Sequence, residues 1–323
     1  MTTVAVETGA RLHFGFQNLS LAHERLYGGV GVGLAEPRLT VRAEPATTIE
    51  CPEELRSYID NAVDALGVEG ATVELTDGYD RHVGLGSGTQ IALAALVAIA
   101  RAHGKSVDPR ELAPQLGRGG RSGVGVATFE SGGFVVDVGH PTERFTTAPP
   151  GPGSWSVPKP LGRWTLPDSW RFLLVTPEEP PGRSGEEEDE SIRTIVERAD
   201  GSIADDIATL LTRRLLPAVV EGDLSAFGTA VSRLGRLNGA WFADEQGGVY
   251  RPPAGQLIDA LDSSPAVLGT GQSSWGPTVY GVTNAERAES AKTAGSDALD
   301  EFGLDGTVRV VAPSDSGATV RES

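Results

Sequence analysis

Gly84-Leu85-Gly86-Ser87-Gly88-Thr89 has the clearest chemical meaning in the chain, because it leads straight into an apolar stretch that predicts a helix from Gln90 to about His103. Glycines let consecutive backbone N–H groups turn toward one point, and the helix behind them adds the positive end of its dipole. Together they can cradle a phosphate or pyrophosphate, with the hydroxyls of Ser87 and Thr89 as further donors or metal contacts. The run is not a Walker loop, since no Gly-Lys-Ser/Thr ends it. Nor is it a dinucleotide fingerprint, because no ribose-binding acid follows in a strand–helix–strand unit. A tight turn holding no ligand would use the same glycines, so the run needs company before it reads as a site.

Other segments offer that company. Arg11-Leu12-His13-Phe14-Gly15 sets a guanidinium and an imidazole in one strand-like stretch, and Arg25 precedes Tyr27-Gly28-Gly29. Arg11 and Arg25 can each fork onto a carboxylate or phosphate. Arg118 and Arg121, flanked by glycines, can do the same, although surface pairing accounts for them as well on so acidic a chain. Gly271-Gln272-Ser273-Ser274-Trp275-Gly276 can shape an aromatic or ribose pocket, or simply turn the chain. His23, His82, His103 and His140 show no metal-ligand spacing, and no Ser-His-Asp set is readable.

The elements that must position these residues follow from periodicity. Alternating apolar residues predict strands at Thr3–Val6, Arg11–Phe16, Val30–Leu34, Leu39–Ala43, Ala71–Leu75 and Phe134–Val138. A helix is expected from Pro52 to Leu66, stopped at Gly67, and a further helix start at Asp108-Pro109. Prolines crowd residues 141–168, which places a boundary between units 1–150 and 151–323. Beyond it come a strand at Trp170–Thr176, an acidic loop at Glu178–Glu190, and helices around Ile192–Ala199, Ile203–Leu216 and Leu224–Leu237. A strand at Thr278–Val282, a helix from Asn284 to Phe302 and a strand at Thr307–Val311 close the chain. The expected class is α+β in two domains.

Composition bounds the partners. Net charge is −17 over 323 residues, and 24 of the 27 basic residues are arginine. Such a chain repels nucleic acid and anionic membranes. Acid with so little lysine points to a halophilic, high-salt setting; a GC-rich genome would favour arginine too, but would not by itself produce the deficit. The longest apolar run, Ile91–Ala100, is too short for a membrane crossing, which takes about 20 residues. No signal peptide is read at the N-terminus, and the single cysteine, Cys51, excludes an internal disulfide framework. A cytoplasmic protein is expected.

Taken together, Arg11–Gly15, Arg25–Gly31, Gly84–Gln90, Gly117–Gly133 and Gly271–Gly276 resemble the superfamily of galactokinase, homoserine kinase, mevalonate kinase and phosphomevalonate kinase, the GHMP superfamily. Its phosphate loop, Gly-Leu-Gly-Ser-Ser-Ala, is matched by Gly84–Thr89 with two changes at the end. Within it, Arg-Leu-His-Phe-Gly, Arg-x-Tyr-Gly-Gly and Gly-Gln-Ser-Ser-Trp-Gly are most similar to the archaeal beta-ribofuranosylaminobenzene 5'-phosphate synthases. The resemblance implies a GHMP-kinase-like fold, with an N-terminal domain related to a ribosomal-protein fold and a ferredoxin-like C-terminal domain. It implies transfer from phosphoribosyl pyrophosphate to a para-substituted benzoate, such as 4-aminobenzoate or 4-hydroxybenzoate, with release of carbon dioxide and pyrophosphate. His13, Arg25 and Arg11 would then act on substrate, Gly84–Thr89 would bind phosphate, and Tyr27, Gly28, Gly29 and Gly271–Trp275 would form the pocket. Magnesium is expected on Ser87 and Glu130, by analogy with the metal-binding acid of related kinases, with Asp137 competing. Kinases of the superfamily carry Ser-Gly-x-Asp; here Ser122-Gly123-Val124-Gly125 lacks the carboxylate suited to take a hydroxyl proton. The alternatives are an ATP-binding small-molecule kinase and a silent sugar-phosphate sensor. A homodimer is left open.

Overall fold

The computed structural model describes residues 2–145, 153–179 and 186–323, without the side chains of 186–189. Paired apolar alternations merge into two long strands, β1 (Val4–Asn18) and β2 (Arg25–Ala46), which form an antiparallel hairpin. Each joins two of the short strands expected from sequence. The register slips at Gly9/Arg11 and at His13/Gly15. Such bulges bend a strand and re-aim its side chains. Around the hairpin the larger sheet adds β3 (Ile49–Glu50), β4 (Gly70–Asp77), β5 (Phe134–Asp137), β6 (His140–Pro141) and β7 (Pro160–Trp164). A smaller sheet combines β8 (Trp170–Pro177), β9 (Thr270–Gln272), β10 (Val279–Asn284) and β11 (Gly306–Val311), in the order β11-β8-β10-β9. The last strand, β12 (Thr319–Glu322), returns to pair with β1. Two segments beyond residue 151, β7 and β12, therefore complete the N-terminal sheet.

Helices α1 (Arg56–Leu66), α2 (Ser87–Ala102), the short α3 (Pro109–Leu112) and α4 (Val124–Ser131) accompany the larger sheet. From Ile91 to Ala100 every residue of α2 is buried. A helix apolar on all sides needs neighbours all round, and here β1, β2, α1 and α4 surround it. The second half holds α5 (Glu186–Arg198), α6 (Gly201–Leu210), α7 (Leu216–Glu221), α8 (Leu224–Gln246), α9 (Ala254–Asp262) and α10 (Ala288–Glu301).

Several expectations need correcting. The acidic stretch is helical from Glu186 onward, because Ile192, Ile195 and Val196 are buried and draw it down as the apolar stripe of α5; residues 180–185 lie outside the described residues, as do 146–152 of the proline-rich boundary. The helix expected over Ile203–Leu216 contains a π turn at Leu211–Leu215, just before Pro217, which has no N–H to continue the ladder. Helix α8 runs on to Gln246, since Trp241 and Phe242 extend its buried stripe until Gly247 ends it at φ 80°. The short α9, β9 and β12 went unanticipated.

One aromatic cluster ties the sheets together. The Phe14 ring of β1 meets Tyr280 of β10 at 5.1 Å, Phe172 of β8 at 6.2 Å and Phe227 of α8 at 6.0 Å between centroids. Edge-to-face and tilted pairs of this kind add about 0.5–1.5 kcal/mol each beyond burial. The wall beside the phosphate loop therefore rests on a packed base drawn from both halves.

Candidate active site

Arg11 and His13 alternate with the core residues Leu12 and Phe14, so strand periodicity sends them to the opposite face of β1. There they meet the glycine loop. The Arg11 N–H donates to the Leu85 carbonyl at 3.0 Å, and its Nη1 donates to the Gly84 carbonyl at 2.6 Å. Ser273 Oγ accepts from the His13 N–H at 3.2 Å and donates to the same Gly84 carbonyl at 2.8 Å. A Cβ on Gly84 would collide with the Ser273 carbonyl oxygen, and one on Gly276 with the Val83–Gly84 peptide. The two glycine-rich segments, 189 residues apart at Gly84 and Ser273, thus form one continuous wall.

Gly86 sits at the N-cap of α2 with φ 81°, and no side chain caps the helix. The Ser87 and Gly88 N–H groups find no backbone acceptor among the described residues, whereas the Thr89 N–H already donates to the Gly86 carbonyl at 3.1 Å. Helix α2 starts at Ser87, three residues before the expected Gln90, so Ser87, Gly88 and Thr89 are its first turn. They open into a cleft of about 610 Å³ whose lining includes Arg11, Arg118, Arg121, Arg144 and Arg193, together with His13, His82 and His140. No carboxylate lines it among the described residues. Five arginines line the cleft that holds the start of α2, on a chain of net charge −17. That is the electrostatic signature of a polyanion site.

His13 and His140 are held in the neutral form there. Burial, reinforced by Arg11 and Arg121, holds His13 down at about 3, and its Nε2 is buried without a partner. Burial also lowers His140, with Arg144 adding to the effect. Asp137 organises the floor. Its carboxylate accepts from the N–H groups of Gly29, Gly123 and Gly139 at 2.7–2.8 Å and from Ser122 Oγ at 3.2 Å. Burial outweighs those donors and raises it to about 6.

Of the residues read as a site, Arg11, His13, Tyr27, Gly84, Gly86, Ser87, Gly88, Thr89, Ser274 and Trp275 line the cleft. Others take structural roles. Leu85 is buried in the core, and Ser273 is the bridge described above. Gly28 and Gly29 make room for Gln17 and for the Asp137 carboxylate, and Gly271 for the Tyr280 ring. Gln272 reaches back to Gly276 and receives the Arg251 N–H. Arg25 is not in the cleft: its Nε and Nη2 donate to the Val138 and Gly139 carbonyls at 2.9 and 2.7 Å, clamping β2 to the turn before β6. Glu130 is not there either. It lies near the far end of α4, gripped by Arg110, whose Nη2 is 2.5 Å from Oε2.

Of the residues expected to hold magnesium, Ser87 brings its hydroxyl to the cleft, Asp137 is buried and committed to the Gly29, Gly123 and Gly139 N–H groups, and Glu130 is paired with Arg110 outside the cleft. The sequence reading missed Arg144 and Arg193, which sit outside any glycine motif. It also missed the side chains of α8 behind His13, which carry only an ordinary helical pattern.

The chain matches two family models, the GHMP kinases N terminal domain over residues 54–133 and the GHMP kinases C terminal over residues 215–301. It is 34% identical over 297 residues to a beta-ribofuranosylphenol 5'-phosphate synthase of Methanothermobacter thermautotrophicus, covering 86% of this chain and 88% of that protein. The protein of the same name from Archaeoglobus fulgidus is 35% identical over 288 residues, covering 87% and 88%. Among solved structures, the phosphomevalonate kinase of Streptococcus pneumoniae superposes with a TM-score of 0.68 at 13% identity, covering 96% of this chain and 100% of that one. The mevalonate kinase of Methanococcus jannaschii gives 0.65 at 12% identity, covering 96% and 98%.

Proposed function

The chain belongs to the GHMP kinase superfamily and, within it, to the family of the archaeal beta-ribofuranosylphenol 5'-phosphate synthases, and from that we propose that it is a decarboxylating phosphoribosyltransferase. Its substrates are phosphoribosyl pyrophosphate and a para-substituted benzoate, 4-hydroxybenzoate ahead of 4-aminobenzoate because the relatives are named for a phenol product. The observation that carries this reading is the cleft lined by arginines and free of described carboxylates at the N-terminus of α2. The pyrophosphate lies against the first-turn N–H groups of Ser87 and Gly88, with arginines from the cleft wall on its remaining oxygens. As the C1′–oxygen bond breaks, its electron pair leaves with the pyrophosphate, where fixed dipoles and guanidinium groups stabilise the added charge. The ring carbon bearing the carboxylate forms the new bond to C1′. Loss of carbon dioxide then returns the pair of the C–CO₂ bond to the ring. No proton has to be removed, which suits a site whose His13 stays neutral to about pH 3 and whose Gly125 supplies no base. Positioning of two bound substrates provides the acceleration.

The test is a balance of products. With phosphoribosyl pyrophosphate and carboxyl-labelled 4-hydroxybenzoate, pyrophosphate and labelled carbon dioxide should appear in equal amounts. Conversion of ATP to ADP with an alcohol acceptor, and no labelled carbon dioxide, would install the kinase reading instead.

A further inference from the structure

Behind His13 the cleft continues into a slot between β1 and α8, and its walls carry aromatic rings. Phe16 meets His13 edge-on at 5.1 Å, and Phe242 of α8 meets Trp275 edge-on at 4.8 Å. The slot holds about 50 Å³ of its own, and His13, Phe16, Ser274 and Trp275 line both spaces. One water-sized place takes about 10–15 Å³, so the slot has room for roughly four heavy atoms beyond the cleft. The amides around it are committed: Asn238 to both backbone groups of Phe16, Gln272 to Arg251 and Gly276, Gln246 to the Val249 carbonyl. Two buried polar atoms among the lining residues make no hydrogen bond of good geometry, His13 Nε2 on the cleft side and, within, Tyr250 Oη, which the Arg236 side chain approaches. Leaving such atoms unpaired in the interior is unfavourable, and a bound ligand can pair them.

Gly235 strengthens the case. It lies buried in the middle of α8, where glycine is unfavourable by about 1 kcal/mol relative to alanine. Neither a positive φ nor a close neighbour requires it: an added Cβ would find nothing nearer than Tyr250 Oη, at 3.5 Å. The glycine leaves space beside the Tyr250 phenol.

We propose that this slot receives the distal edge of the acceptor's ring, with the para substituent hydrogen-bonded to Tyr250 Oη and the carboxylate-bearing carbon held at the His13 mouth facing the ribose. The inference rests on the phosphoribosyl-transfer reading for the identity of the acceptor. It explains how one wall can select a para-substituted ring: three ring carbons and one oxygen fill the four places, and the Tyr250 hydroxyl is placed for that oxygen. Tyr250 keeps its proton at neutral pH, since burial pushes the phenol up to about 12.

Calorimetric titration of the full chain with 4-hydroxybenzoate and with benzoate tests this, alongside KM for both substrates. The wild type should prefer 4-hydroxybenzoate by about tenfold, the worth of one neutral hydrogen bond. Tyr250→Phe should erase that preference and leave the KM for phosphoribosyl pyrophosphate unchanged. Gly235→Ala should raise the melting temperature yet weaken acceptor binding several-fold, a split that a purely structural glycine would not show. Gly235→Leu should abolish acceptor binding. A folded Gly235→Ala and a Tyr250→Phe that both bind the two benzoates like the wild type would overturn the slot. If these variants act on ring binding but the wild type releases no carbon dioxide, the slot stands and the transferase reading falls. If the wild type neither binds the ring nor turns over, both fall.

Discussion

Placing a Cβ on Gly86 probes the anion cradle at its tightest point. The residue sits at φ 81°, ψ 15°, and an added Cβ would lie 2.9 Å from Arg11 Cγ and 3.0 Å from Arg11 Nε. Two effects follow, and two variants separate them. Alanine in the left-handed region costs about 1–2 kcal/mol, whereas asparagine visits it routinely. Either side chain pushes Arg11 away from the Gly84 carbonyl that it holds at 2.6 Å. A hydrogen bond from a charged group is worth about 1.5–3 kcal/mol, so displacing this guanidinium should weaken pyrophosphate binding by about 10- to 150-fold. The strain should appear in thermal stability for Gly86→Ala and much less for Gly86→Asn. The assay is calorimetric titration with inorganic pyrophosphate, paired with a melting curve for each variant. Loss of affinity in both variants, with a lowered melting temperature chiefly in Gly86→Ala, is the expected result. Affinity retained within twofold in both folded variants would refute the cradle and leave Gly84–Thr89 as a turn.

Three further outcomes follow from the same geometry. Glu130→Gln should lower stability by no more than about 1 kcal/mol, because its partly exposed pair with Arg110 is lost, and should leave kcat/KM within twofold; a tenfold fall would return Glu130 to the site. Native His13 takes a proton only near pH 3 and the unfolded chain near 6.5, so its contribution to stability is present above 6.5 and is lost as pH falls toward 3. From pH 7 to pH 5 the wild type should lose about 2 kcal/mol more than His13→Asn in urea unfolding; Asp137, raised to about 6, drives stability the opposite way in both proteins and cancels in the difference. Parallel curves would sink that account. With a net charge of −17, the melting temperature should rise between dilute and 1 M potassium chloride, where the Debye length falls to about 3 Å, and a flat response would remove the high-salt reading.

The parts of the site that could be read in the sequence are those written in local chain chemistry. A glycine run ahead of an apolar helix announces its own geometry, and alternation assigns Arg11 and His13 to one face of a strand. Even there the helix begins at Ser87, not Gln90, because glycines at a helix start look like loop. What could not be read is where long side chains go. Arg25 and Arg11 look alike beside their glycines, but alternation along β1 turns Arg11 away from the core and onto the glycine loop. The turn before β6 captures the other. Glu130 resembled a metal ligand until Arg110, twenty residues away, was found holding it. Tyr250 carries no motif at all. It matters because Gly235 of α8 leaves space opposite it, a relation that exists only after packing.

Position 125 shows how one fold can change its chemistry with little else altered. A Cβ on Gly125 would lie 3.2 Å from Thr89 Cγ2 and 3.4 Å from its Cβ, so a carboxylate there would stand directly over the first turn of α2. In a kinase that is the place for a group that takes a hydroxyl proton while phosphate is held below. In this chain the same place is empty, and the Gly125 carbonyl is instead occupied by Gln90 Nε2 at 3.0 Å. With arginines around the cleft and no carboxylate lining it among the described residues, negative charge can build on a leaving pyrophosphate. An aspartate at 125 would set its own negative charge against that leaving group. Its absence therefore suits a reaction that expels pyrophosphate and removes the group best placed to take an alcohol's proton.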